Sequence, residues 1–227
     1  MTGRPGPICL QGGRELTSPC DAMDRAVLER CSGTVVALAG AARPGSDYAG
    51  ASARTVAHYE RLGAKVTVIP DPRDDHAAAL DALTESIGLI VLPGGSPGAL
   101  LDVLTARPDA SEPTIGEQLV ALHERGTAVS GASAGAMVLC AETATPDRAG
   151  GLATGLDLVA GVAIPHWSLG SERRWSLPDT LLWGLPECGG VLIDDGSMIA
   201  VGQGSASIKD AGAWRAIGRR TAEPLPR

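Results

Sequence analysis

Phenylalanine is absent from this 227-residue chain, and only four Trp and two Tyr supply aromatic rings. Its core must therefore be assembled from Val, Leu, Ile and Ala, and stacking platforms for nucleic-acid bases are not expected. Lysine is almost missing as well. Neither Lys65 nor Lys209 follows a glycine as a phosphate-binding loop requires, which excludes that nucleotide-binding reading. Acidic residues outnumber basic ones 26 to 19, and a net charge of -7 repels a phosphate backbone, so nucleic acid is not an expected partner. The five cysteines are odd in number, scattered and never in Cys-x-x-Cys spacing, which argues against a disulfide framework or a zinc site; no metal or organic cofactor is expected. No window approaches the roughly 18 apolar residues that cross a bilayer, and the first residues lack a signal-peptide pattern. The expectation is a cytoplasmic protein, without membrane contact, acting as monomer or homodimer.

What the chain does have is glycine, 30 residues of it, and short apolar runs that end in glycine and lead into amphipathic stretches. That alternation predicts an α/β protein, a mostly parallel doubly wound sheet flanked by helices. The length suits one domain over residues 1–227. Strands are expected at 7–11, 34–41, 65–69, 87–92 and 127–131. Helical spacing recurs near 49–59, 97–106 and 115–122, and a short apolar helix is expected at 134–140. After residue 141 the pattern loosens, apart from an apolar run at 156–164 and a C-terminal β hairpin, 190–194 with 198–202, around Asp195-Gly196-Ser197. The tail from Arg219 reads as frayed.

Chemistry concentrates at Gly131-Ala132-Ser133-Ala134-Gly135. Gly-x-Ser-x-Gly is a weak pattern alone, but here an expected strand runs into the serine and a helix leaves it, the setting of a nucleophile elbow. The bland alternative is a serine that merely caps the helix. As a nucleophile, Ser133 needs a histidine to take its proton. His58 and His123 fall within amphipathic helices and His76 in a solvated charged run, whereas His166 follows the apolar run 156–164, where an α/β sheet keeps its active-site loops. The orienting acid could be Asp157, inside an apolar run, or Asp194 or Asp195 at a strand end; the latter position is favoured, with Asp195 first.

With these residues placed, the chain resembles serine peptidase family S51, which contains aspartyl dipeptidase (peptidase E) and cyanophycinase. The resemblance rests on Gly12-Gly13, Gly94-Gly95, the Ser133 elbow, Pro165-His166-Trp167 and Ile193-Asp194-Asp195-Gly196-Ser197. It implies a class I glutamine amidotransferase-like strand order and a peptidase with Ser133 as nucleophile and His166 as base. It also implies an oxyanion hole from the amides of Ala134 and the Gly94-Gly95 turn. The family's third member is usually a glutamate, in a segment matching Asp195. Arg173 and Arg174 are the residues the resemblance suggests for binding a substrate carboxylate, so a small peptide cleaved near acidic residues is the expected substrate. An ester, thioester or non-peptide amide, or a non-catalytic binding homologue, remain the alternatives.

Overall fold

The computed structural model describes residues 4–41, 47–145, 151–168, 170–173, 177 and 179–226. Its first half alternates strands and helices: β1 (Ile8–Gln11), α1 (Asp21–Leu28), β2 (Thr34–Ala37), α2 (Tyr48–Arg61), β3 (Val66–Val68), α3 (His76–Ala82), β4 (Ile87–Leu92), α4 (Pro97–Thr105), α5 (Ile115–Glu124), β5 (Ala128–Ala132) and α6 (Ala134–Leu139). Among the described residues only strands follow, apart from one 3-10 turn: β6 (Cys140–Ala144), β7 (Leu152–Thr154), β8 (Val159–Ile164), β9 (Leu182–Gly184), β10 (Gly189–Asp194), β11 (Ser197–Gly202), β12 (Ser207–Asp210), β13 (Ala213–Ala216) and β14 (Glu223–Pro224).

Eight strands form one sheet in the order β14-β11-β10-β1-β5-β4-β2-β3, in which β1, β5, β4, β2 and β3 pair parallel and the other three join antiparallel. Successive residues of β4 alternate between two apolar clusters: Leu89 and Val91 pack with Cys9, Met23 and Tyr59, while Ile90 and Leu92 pack with Leu10, Leu100 and Leu119. Both faces are therefore buried, which is why the strand reads as one continuous apolar run.

The expectation of a single mostly parallel sheet needs correction. A second sheet of six strands, β13-β12-β9-β8-β6-β7, occupies the region where the sequence pattern loosened. Several of its strands are short and exposed, β7 and β13 most of all, and these carry too few apolar residues to leave a periodic signal. Val159, Ala163, Trp183 and Ile208 of this sheet share one apolar cluster with Ile8 and Leu10, so it packs onto the same core as the first. The tail is not frayed: β14 pairs with β11, Ser197 opposite Pro224 and Met198 opposite Glu223.

A polar network is buried between α1, α2 and β1. Asp24, only 1% exposed, accepts hydrogen bonds from His58 Nε2 at 2.7 Å, Tyr59 Oη at 3.2 Å and Gln11 Nε2 at 2.8 Å. The Arg61 guanidinium lies 3.1 Å from His58 Nδ1 and can only donate, so Nδ1 accepts and Nε2 carries the proton that Asp24 receives. Gln11 also bonds Ser130 of β5, and its carbonyl accepts the amide of Ser133, so the network ties α1 and α2 to the strand ends that carry the site. Asp24→Ala removes the buried acceptor that three donors share and is expected to lower unfolding free energy by about 3–5 kcal/mol, measured by urea titration.

Candidate active site

The site forms where β1, β4 and β5 end side by side. Chain direction reverses sharply at Ser133, whose φ of 50° and ψ of -109° place a non-glycine residue in strained backbone. Small neighbours make the bend possible. A Cβ on Gly131 would stand 2.5 Å from the Gly135 carbonyl carbon, and one on Gly135 would stand 2.1 Å from the Leu92 oxygen. Ser133 occupies the cap position of α6 yet makes no capping hydrogen bond with its side chain, which removes the alternative of a plain capping serine. Its Oγ lies 3.2 Å from His166 Nε2 instead.

The Gly-x-Ser-x-Gly pattern occurs a second time, at Gly94-Gly95-Ser96-Pro97-Gly98. There the serine is 4% exposed and its hydroxyl accepts from the Ala99 amide at 3.1 Å, an ordinary cap of α4. Pattern alone does not separate the two serines; backbone geometry does.

His166 follows β8 and is held by its backbone, with its amide donating to the Gly12 carbonyl at 2.8 Å. Its ring lies over Gly13, where a Cβ would meet His166 Cε1 at 2.5 Å. Gly13 also has a φ of 118°, so Gly13→Ala both strains the turn and displaces the ring. A loss of about 10²-fold in kcat/KM is expected in steady-state assays, since a shift of about 1 Å in a catalytic group has that effect. The other three histidines are sequestered. His58 faces Asp24, His123 faces the Thr127 carbonyl with burial pulling its pKa down, and His76 is 8% exposed rather than solvated, against the Pro113 carbonyl.

The acid assignment changes. Asp195 does not reach the site, because β10 runs antiparallel to β1, with Gly190 opposite Gln11 and Ile193 opposite Ile8. Asp194 and Asp195 therefore sit at the opposite end of the sheet, where both contact Arg4, Asp195 at 3.4 Å from Nε. Asp157 does not contact His166 either; it has a φ of 55° at the turn before β8. The carboxylate beside His166 is Glu187, just ahead of β10, with Oε1 3.4 Å from Nδ1. Backbone bonds strap this segment in place: the Trp167 amide donates to the Leu185 carbonyl at 2.9 Å, and the Cys188 amide to the Gly13 carbonyl at 2.9 Å. Glu187 also lies 3.5 Å from Arg14 Nη1. The sequence pattern points to an acid at the end of β10, whereas Glu187 precedes its start. A usable signal existed, since only Glu172 and Glu187 are glutamates between His166 and Asp195.

The oxyanion expectation narrows. The Gly94 amide donates to Glu15 Oε1 at 2.7 Å, whereas Gly95 and Ala134 border the cavity into which Ser133 opens. Gly95 has a φ of 151° and lies so close to the Ala41 carbonyl that a Cβ would stand 2.3 Å from its oxygen, which glycine alone accommodates. Arg173 belongs to the 3-10 turn Ser171–Arg173, and Arg174 lies outside the described residues.

Compared with known families, residues 25–209 match peptidase family S51. The chain belongs to that family. As an S51 member it is a peptidase, and its fold is shared with solved peptidases. A peptidase from an acI-B1 Actinobacterium superposes with a TM-score of 0.80 at 18% identity, covering 99% of each chain. A putative peptidase E protein from Listeria monocytogenes EGD-e gives 0.65 at 14% identity, covering 88% of this chain and 100% of that one. A search of curated proteins finds no match.

In this S51 chain Ser133, His166, Gly95 and Ala134 open on a cavity of about 580 Å³. Cys140 offers no rival nucleophile, being fully buried with its thiol pushed up to about 12 by desolvation. Among the described residues no helix is long and apolar enough to cross a membrane.

Proposed function

We propose that this S51 peptidase hydrolyses an amide bond in a small peptide through an acyl-enzyme, with Ser133 as nucleophile, His166 as general base and Glu187 in place of the aspartate expected from sequence. The observation that carries the proposal is the 3.2 Å approach of His166 Nε2 to the hydroxyl of a serine held at a φ of 50°. Ser133 Oγ attacks the scissile carbonyl while His166 Nε2 takes the hydroxyl proton. The same proton then passes to the leaving amine as the C–N bond breaks, and water attacks the acyl-serine by the reverse route. Glu187 accepts from the Nδ1 proton, which fixes the tautomer that leaves Nε2 free to act as base, and it stabilises the imidazolium. Its 3.4 Å separation from Nδ1 suits a site without substrate, where catalytic hydrogen bonds are often long. The amides of Gly95 and Ala134 are the donors for the oxyanion.

A cavity of about 580 Å³ is of small-ligand size, which favours a short peptide or a chain terminus as the bound segment. A fluorophosphonate probe tests the nucleophile directly: wild-type protein becomes labelled at Ser133, and Ser133→Ala does not. Absence of labelling in folded wild-type protein would overturn the triad.

A further inference from the structure

The segment 12–17, which follows β1, holds three parts of the site at once. The Gly12 carbonyl accepts the His166 amide, the Gly13 carbonyl accepts the Cys188 amide beside Glu187, and the Glu15 carboxylate accepts the Gly94 amide at 2.7 Å. Backbone on either side of Glu15 is strained, since Arg14 has a φ of 56° and Leu16 one of 62°. The Arg14 carbonyl secures this bend by accepting from Thr17 Oγ1 at 2.7 Å and from Cys20 Sγ at 3.2 Å. The turn that Glu15 meets is soft by comparison, because two adjacent glycines restrict their own backbone least. Its flanks are nevertheless anchored: the Gly94 amide is committed to Glu15, and the Ser96 amide to the Ala41 carbonyl at 2.8 Å. Between these two anchored peptides lies the one that carries the Gly95 amide.

We propose that Glu15 is a positioning residue: by holding the Gly94 amide it fixes the plane of the next peptide, and so aims the Gly95 amide at the oxyanion. This rests on the acyl-transfer reading above. Oxyanion donors act because they are in place before charge develops, and a turn of two glycines cannot supply that order by itself. The spacing is tight, since a Cβ on Gly94 would lie 2.6 Å from Glu15 Oε1 and 3.2 Å from Ser133 Cβ. A shift of the carboxylate therefore moves the turn against the nucleophile. What the role requires is an acceptor oxygen at this reach; it does not require the charge.

A fluorophosphonate reads the role without a known substrate, because its phosphonyl oxygen stands in for the oxyanion as Ser133 attacks. Its maximal inactivation rate reports the reaction step, and its half-saturating concentration reports binding. In the full-length chain, Glu15→Ala should lower the maximal rate by about 10²-fold, the effect of displacing one oxyanion donor, with half-saturation within about threefold of wild type. Glu15→Gln keeps an acceptor oxygen at the same reach and should restore the rate to within about fivefold. Glu15→Asp keeps the charge but is one methylene shorter, and should stay at least about tenfold slow. If Glu15→Ala does not fold by circular dichroism, the Gln and Asp variants decide. Glu15→Gln as slow as Glu15→Asp assigns the effect to charge and overturns the positioning role. Wild-type rates in Glu15→Asp, or a change confined to half-saturation, overturn it as well and leave the serine mechanism standing. Failure of wild-type protein to react with the probe overturns both.

Discussion

Ser133→Ala is expected to lower kcat/KM for a cleaved peptide on the order of 10⁴- to 10⁶-fold, the range in which serine triads lose activity without their nucleophile. Ser96 cannot substitute: in the second copy of the Gly-x-Ser-x-Gly pattern, it is buried and spends its oxygen on the Ala99 amide. The fold should survive the change, since the Ser133 amide still donates to Gln11 and its carbonyl still accepts from Met137. Ser133→Gly should be equally inactive yet more stable by about 1 kcal/mol, because glycine adopts a φ of 50° without the steric cost a side chain carries there. Steady-state kinetics and urea midpoints on the two variants together test whether backbone strain at the bend serves the reaction. Retention of turnover by Ser133→Ala would end the assignment.

Glu187→Gln and Asp195→Asn form a paired test of the acid, with opposite expected outcomes. The amide can donate to Nδ1 and favour the wrong imidazole tautomer, so Glu187→Gln should lower kcat by about 10²- to 10⁴-fold; half-exposure of the carboxylate places the loss below the buried-aspartate extreme. KM should change far less, since Glu187 does not line the cavity. Asp195→Asn should leave kcat within about twofold, because Asp195 is 73% exposed at the far end of β10 beside Arg4. A large loss from Asp195→Asn with none from Glu187→Gln would reverse the assignment.

Much of this architecture was legible in the chain. The strand at β4 is found at its sequence-expected bounds because both faces are buried and the apolar run is unbroken. The Ser133 bend could be read because Gly131 and Gly135 remove the side chains that would collide there. His166 could be chosen because it alone follows a buried run into a loop. The second sheet escaped notice for the opposite reason: edge and half-exposed strands such as β7 and β13 need no alternating apolar pattern.

Local order along the chain therefore narrowed the candidates to serines between two glycines and a histidine at a strand end, since these depend on backbone sterics within a few residues; the backbone turn at Ser133 separates it from Ser96. Tertiary structure alone decided which acid meets that histidine and what surrounds the nucleophile. The antiparallel pairing of β10 with β1 carries Asp195 away and brings Glu187 in, and the walls of the cavity come from α4, α6, β6 and β8. Such choices depend on pairing direction between distant segments, and strand direction is invisible to a pattern of period two.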